Sequence, residues 1–472
     1  MKHTLNIFSL VFIFYGMAWA QPDSLDNVNM MIAQEMELKG IPGLSYAVIK
    51  NDKVIKMGAL GYANLDHNVP TSNLTVFPIA SIDKQIIATC IMMLQEEGTL
   101  NIEDHVTKYL DSTPDSWKDM KIKHLLSHTS GLPDEPIEYY KGKGYDRYSS
   151  EDIYNHIIKQ DISHATGEKF LYSDSGFFLL QRIFEKASGF YYPTFIKENI
   201  FQPLGMENTR ILVPTEIVAG RTVSYYRESK EKLHVNVYRQ INLGPHFGDV
   251  GTTIEDFVKY DLALNTNKLL KKETYDLMWT PATVTGGRVV SQLIDENDLF
   301  NAMASYGYGW ELGEYQGHRT VYHSGFTGTS IVKFPELELT VLLLTNLTYR
   351  PIFSPNALAK KIASFYIEAG SEMKYNEMGT TSISVILEQL KNQKPDSTFF
   401  EKQFYSALLK ALPNYNRKIE AFKELFQINY EYSTSTKDSY TQTYRANYRN
   451  GTLLYHVTFN FENRITLISI EQ

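Results

Sequence analysis

From Ile86 to Leu94 the chain carries a single polar side chain, Thr89. A helix over this stretch is apolar on nearly every side, so it has to lie inside a domain rather than on a surface. Gly98 supplies a C-terminal stop for it. Covering such a helix needs a large surround, and 472 residues provide one: at about 150 residues per domain the chain makes two or three domains. With 43% apolar, 21% charged and 13% aromatic residues, the chain is not disordered, collagen-like or a coiled-coil rod.

The first residues read as a processing segment. Met1-Lys2-His3-Thr4 gives a short basic start, Ile7 to Tyr15 is almost wholly apolar, and Ala18-Trp19-Ala20 places small residues where a signal peptidase reads them. We therefore expect a signal peptide over 1–20, cleaved after Ala20, and a periplasmic or secreted location. The apolar run is short of the ~20 residues that a bilayer span needs, and no later stretch reaches that length, so no membrane span is expected after cleavage. The formal charge of −8 disfavours nucleic acid as a partner. Cys90 is the one cysteine, which excludes an internal disulfide and Cys-based zinc or iron–sulfur sites.

Periodicity divides the rest into a split catalytic unit and a tail. Leu44 to Lys50 and Lys53 to Met57 flank Asn51-Asp52 as a hairpin. Thr320 to His323, Thr329 to Phe334 and Leu339 to Leu344 are β-rich, with a turn at Pro335 to Glu338 and a helix from about Asn356 to Ala369. The middle of the chain, including Ser175 to Ala187, is mainly helical. The expected fold class is α+β: an antiparallel sheet built from early and late strands, flanked by helices, with a helical lobe inserted. The unit spans 21–369. A C-terminal accessory α+β domain spans 370–472, with helices at Ile383 to Leu390, Phe399 to Leu412 and Ile419 to Phe426. An Asn450-Gly451 hairpin and a third strand from Arg464 to Ile470 follow. Its partner is not legible.

Three short motifs carry chemistry. Ser81-Ile82-Asp83-Lys84 stands at the start of the apolar helix, where positions i and i+3 share a face, so hydroxyl and amine become neighbours. An adjacent base activates a serine hydroxyl, and a helix N-terminus favours an oxyanion. The ordinary alternative is an N-cap followed by a surface lysine. Tyr172-Ser173-Asp174-Ser175-Gly176 precedes a helix; a phenol close to a lysine ammonium can shuttle protons, whereas Asp174 or Ser175 as a plain N-cap is the alternative. His323-Ser324-Gly325-Phe326 lies on a strand, where Gly325 would admit a ligand backbone and the Phe326 N–H, with that of Ser81, would hold an oxyanion. A buried, hydrogen-bonded histidine is the alternative for His323.

Together and in this order, the three motifs resemble the serine β-lactamase and penicillin-binding-protein-like hydrolases, nearest to the class C β-lactamase, D-amino-acid-peptidase and esterase branch. Gly61-Tyr62-Ala63-Asn64, the run His124 to Leu132, Ile200 to Met206, Gly248 to Thr253 and Tyr306 to Trp310 agree, so the likeness covers about residues 25 to 368. It implies Ser81 as nucleophile, Lys84 as its base partner and Tyr172 as proton shuttle, with His323 and Gly325 on the strand lining the site. Two positions depart from the class C pattern. Asp174 stands where an Asn is usual, and a carboxylate accepts where an amide can donate. His323 stands where a Lys is usual, so a substrate carboxylate loses a fixed cation.

Both departures weigh against efficient β-lactam hydrolysis and fit an ester or peptide amide, including a D-amino-acid peptide. His323 is expected to bind anionic substrates better as it protonates. No phosphate-binding loop is present and no cofactor is implied. His124 and His128 have metal-ligand spacing but lack the glutamate of a zinc protease, so no metal is assigned. The alternative reading is a non-catalytic or slowly acylating sensor.

Overall fold

The computed structural model describes residues 27–133, 149–213, 216–229, 232–236, 249–290, 305–348 and 353–367, and in the tail 380–392, 394–402, 404–406, 408–410, 412, 425–435, 439–449, 451–460 and 464–471. The segment 1–20, expected to be a signal peptide, lies outside them, as does Gly248. Among the described residues, no helix is long and apolar enough to cross a membrane.

The hairpin forms as expected. Strand β1 (Gly43–Lys50) pairs antiparallel with β2 (Lys53–Asn64). Asn51 and Asp52 both take positive φ, 51° and 56°, the backbone of a tight hairpin turn that matches strand twist. Then come β3 (Val69–Pro70), β4 (Phe77–Pro78), β5 (Arg210–Ile211), the pair β6 (Tyr225–Ser229) and β7 (Lys232–Val235), and β8 (Val250–Thr252). The late strands are β9 (Ser305–Tyr306), β10 (Glu311–Tyr315), β11 (His318–Gly325), β12 (Thr329–Phe334) and β13 (Leu339–Thr345). One sheet runs β3-β2-β1-β13-β12-β11-β10-β9. The chain's early strand thus lies beside its late one, with Leu44 opposite Thr345 and Lys50 opposite Leu339.

Every residue of β12 and β13 is buried, so both sheet faces are covered, and a near-continuous apolar run is what that environment demands. Strand alternation splits the run between two cores. Val341 and Leu343 pack with Val48, the helix Asn27–Lys39 and the helix Pro355–Ala363; Leu342 and Leu344 pack with Ala47, Ile49 and the helix Asp83–Glu97. That helix is buried from Asp83 to Met92 and again at Leu94, and ends at Gly98, φ 74°. Its other side is walled by the helix Asp174–Ser188 and the rest of the lobe. The helix after β13 stops at Ala363, short of the expected 369; 368 and 369 lie outside the described residues.

The tail builds its own sheet, β14 (Leu425–Ser435), β15 (Ser439–Tyr448), β16 (Gly451–Asn460) and β17 (Ile465–Glu471), in that order and all antiparallel. The helix Thr380–Lys391 packs against it, and Leu387, Leu390, Phe400, Tyr444, Tyr455 and Ile465 share one core. A fourth strand corrects the three-strand expectation. Leu425 and Phe426 begin β14 rather than ending a helix, because their alternation with Ile428 and Tyr430 finds a pairing partner in β15 that a local reading could not see. Residues 419–424 lie outside the described set.

Candidate active site

Ser81 lies in the 3-10 turn Ala80–Ile82 that leads into the helix Asp83–Glu97. Ala80 just before it has φ 48°, a left-handed conformation that a residue with a Cβ adopts only when its surroundings impose it. Those surroundings are a lattice of hydrogen bonds. The Ile79 N–H donates to the Val250 carbonyl at 2.9 Å, Thr329 Oγ1 donates to the Ile79 carbonyl at 3.1 Å, and Thr327 Oγ1 donates to the Pro78 carbonyl at 2.6 Å. The turn carrying Ser81 is thereby fastened to β8 on one side and to the β11–β12 junction on the other.

Gly325 has a different job from the one expected. A Cβ built there would lie 2.2 Å from the Ile79 carbonyl oxygen. The space its missing side chain leaves is filled by the protein's own backbone, not by a ligand. Phe326 follows with its side chain 40% exposed, and Ser324 is half-buried.

Lys84, one helical turn after Ser81, is fully buried. Its Nζ donates to Ser81 Oγ at 3.2 Å and to Asp174 Oδ1 at 2.5 Å, and stands 4.7 Å from the centre of the Tyr172 ring and 5.5 Å from that of Phe177. A buried ammonium is tolerated only with a counter-charge and satisfied protons. Asp174 supplies the charge, the Ser81 hydroxyl accepts a hydrogen bond from a second N–H, and two aromatic faces add their quadrupoles. In this arrangement Lys84 is a donor to Ser81, so the serine's own proton needs another acceptor.

Tyr172 comes from the irregular stretch just before the helix Asp174–Ser188, and Asp174 is the first residue of that helix. Its cap is Ser173, whose Oγ accepts from the Gly176 N–H at 3.2 Å, rather than Asp174 or Ser175. With Ser173 as the cap, the Asp174 carboxylate reaches Lys84. Tyr172 stacks on His128, ring centres 4.2 Å apart, and its ring lies 6.4 Å from that of His323.

His323 is 1% exposed. Its Nδ1 lies 2.9 Å from the Ser324 carbonyl and its Nε2 3.0 Å from the Tyr306 hydroxyl. A carbonyl only accepts, so these partners place the hydrogen on Nδ1 and leave Nε2 to accept from Tyr306. Burial, reinforced by the Lys84 charge, pushes its pKa down to about 3 against the pull of Ser324 and Asp174. This overturns the expected gain in anion binding on protonation. The ring is neutral across the physiological range because water cannot reach it.

His124 and His128 do not share a helix face. The helix Ile122–Leu126 ends before His128, which turns away at φ 56°. His124 Nδ1 accepts from the Lys121 N–H at 3.1 Å and His128 Nδ1 from the Ser173 N–H at 3.0 Å. Two site neighbours, His128 and Tyr306, had no assigned role in the sequence reading. Both sit in stretches whose likeness to the family was noted, and that was the available signal.

Residues 28–364 match the Beta-lactamase family. The chain is 30% identical over 314 residues to penicillin-binding protein 4* of Bacillus subtilis (strain 168), an alignment covering 61% of this chain. It spans 64% of that relative, less than two thirds of its length. Among solved structures, the octameric penicillin-binding protein homologue from Pyrococcus abyssi superposes with a TM-score of 0.59 at 22% identity, covering 95% of this chain and 96% of that one. EstCE1, a hydrolase with promiscuous acyltransferase activity, gives 0.61 at 20% identity, covering 71% and 97%. At these identities the two structures speak for the fold.

Proposed function

Because the chain belongs to the Beta-lactamase family, we propose that it is an extracytoplasmic serine hydrolase that opens an ester or amide bond through a Ser81 acyl-enzyme. The observation that carries this reading is the convergence on one buried amine of three groups from two distant segments: Ser81 at 3.2 Å, Asp174 at 2.5 Å and the Tyr172 ring at 4.7 Å. Ser81 Oγ attacks the carbonyl carbon while its proton passes to the oxygen of Tyr172, which the Lys84 ammonium supports as a phenolate. The backbone N–H groups of Ser81 and Phe326 hold the oxyanion. Tyr172 returns the proton to the leaving alcohol or amine, and water then releases the acid by the same route.

The substrate class follows from charge. Neutral His323 offers no cation to a substrate carboxylate, and Asp174 cannot donate to a substrate carbonyl. Esters and peptide amides, D-amino-acid peptides among them, therefore suit the site better than β-lactams, for which weak or no turnover is expected. The apolar leader over 1–20 supports export.

A fluorophosphonate or penicillin probe should label the wild-type protein and spare Ser81→Ala. The same change should lower turnover of a p-nitrophenyl ester by roughly a thousandfold or more. Equal labelling of both proteins sinks the reading. Labelling without turnover favours the slowly acylating sensor, a role that the lysine's commitment to Asp174 would also allow.

A further inference from the structure

Tyr172 lies in an irregular stretch, outside any helix or strand. A phenol there keeps one orientation only if the chain on both sides is held, and one residue holds both sides. The His128 carbonyl accepts from the Leu171 N–H at 2.8 Å, and the His128 ring nitrogen Nδ1 accepts from the Ser173 N–H at 3.0 Å. Between these two bonds the ring stacks on Tyr172 at 4.2 Å with 30° between planes. The grip depends on the residue's conformation. At φ 56° the backbone turns so that carbonyl and imidazole face the same loop.

The ring's other nitrogen supports this assignment. With Nδ1 accepting, the hydrogen sits on Nε2, and that atom is buried with no hydrogen-bond partner among the described residues. Phe170, Phe177 and Tyr306 surround the ring with aromatic carbon. A buried donor without an acceptor is a cost, and the fold accepts it while keeping Nδ1 on Ser173. Burial, then the charges of Lys84 and of His323 were it protonated, hold the ring's pKa well below the ordinary value, which preserves the Nδ1 lone pair.

Resting on the hydrolase reading above, we propose that His128 is a positioning residue whose Nδ1 lone pair and carbonyl clamp the 171–173 loop, aiming the Tyr172 phenol at Ser81 and Lys84. It takes no proton from the substrate. Ser173 and Asp174 follow directly, so the clamp also sets where the helix cap begins and where the Lys84 counter-ion stands.

The test contrasts two variants, each checked for folding by circular dichroism. His128→Asn keeps an acceptor at nearly the Nδ1 position and tolerates positive φ, but discards the ring. His128→Phe keeps the ring and its stacking but discards the acceptor. The clamp predicts that His128→Phe loses about a hundredfold in kcat for a p-nitrophenyl ester with KM little changed, and that His128→Asn recovers most of it. Amide hydrogen exchange at Ser173 should quicken in His128→Phe and return toward wild type in His128→Asn. The opposite order, Phe active and Asn inactive, shows a packing role and overturns the proposal, as does unchanged exchange in His128→Phe. Ser81→Ala, run in parallel, isolates the hydrolase reading. If wild type and Ser81→Ala turn over alike, that reading fails, while the exchange at Ser173 still decides the clamp.

Discussion

His323 shows what a single residue's solvent access decides. Its type marks a group that titrates near pH 6.5, and a strand neighbour of the nucleophile with that property invites a role in recognising anions. At 1% exposure and hydrogen-bonded at both nitrogens, it has its pKa pushed down to about 3 by burial and then by the Lys84 charge. The shift is downward, so the neutral form holds everywhere above that value. We therefore expect KM for a carboxylate-bearing ester to stay flat between about pH 5 and 8. A KM that falls severalfold toward pH 5 in wild type, and not in His323→Gln, would restore the titrating role. Ser81 and Lys84 were readable as a pair because a short helical run, the 3-10 turn Ala80–Ile82 leading into the helix Asp83–Glu97, brings positions i and i+3 to one face. The donor direction of Lys84, toward Ser81 and Asp174 together, was not, since Asp174 arrives from a segment ninety residues away.

At the scale of elements, the site depends on how β11 meets the turn before the nucleophile. Gly325 permits that meeting: any Cβ at this position would sit 2.2 Å from the Ile79 carbonyl and 2.3 Å from Thr329 Oγ1. The carbonyl belongs to a backbone already tied to β8 and β12, so it cannot swing aside. Gly325→Ala should cost about 1–3 kcal/mol in urea unfolding and slow probe labelling of Ser81 beyond any effect of lost stability. Wild-type labelling with a stability change under about 0.5 kcal/mol would mean that the turn is looser than its hydrogen bonds imply. Motif spelling marked Gly325 as special, but only the packed strand and turn say which backbone needs the room.

For the whole molecule, the tail core of Leu387, Leu390, Phe400, Tyr444, Tyr455 and Ile465 draws, among the described residues, on none before Thr380. A self-contained core is the mark of a unit able to unfold by itself. Tyr455 belongs to this core, fully buried with its hydroxyl 2.7 Å from that of Tyr448. Tyr455→Ala should remove about 3–5 kcal/mol from the tail. Calorimetry should then show one transition shifted downward and the other in place, with Ser81 labelling intact. A single transition that moves as a whole argues for one cooperative body.

The amino-acid sequence by itself determined the layered α+β plan, since a helix apolar all round must be interior and early and late β-rich runs join in one sheet that helices cover. It also determined that a hydroxyl and an amine share a helical turn, because local periodicity fixes such spacings whatever the rest of the chain does. Only the tertiary structure decided the chemistry around them. The charge of His323, the counter-ion of Lys84, the occupant of the space beside Gly325 and the grip on Tyr172 all depend on dielectric and contact with residues far along the chain. Neither of those is written in any short stretch.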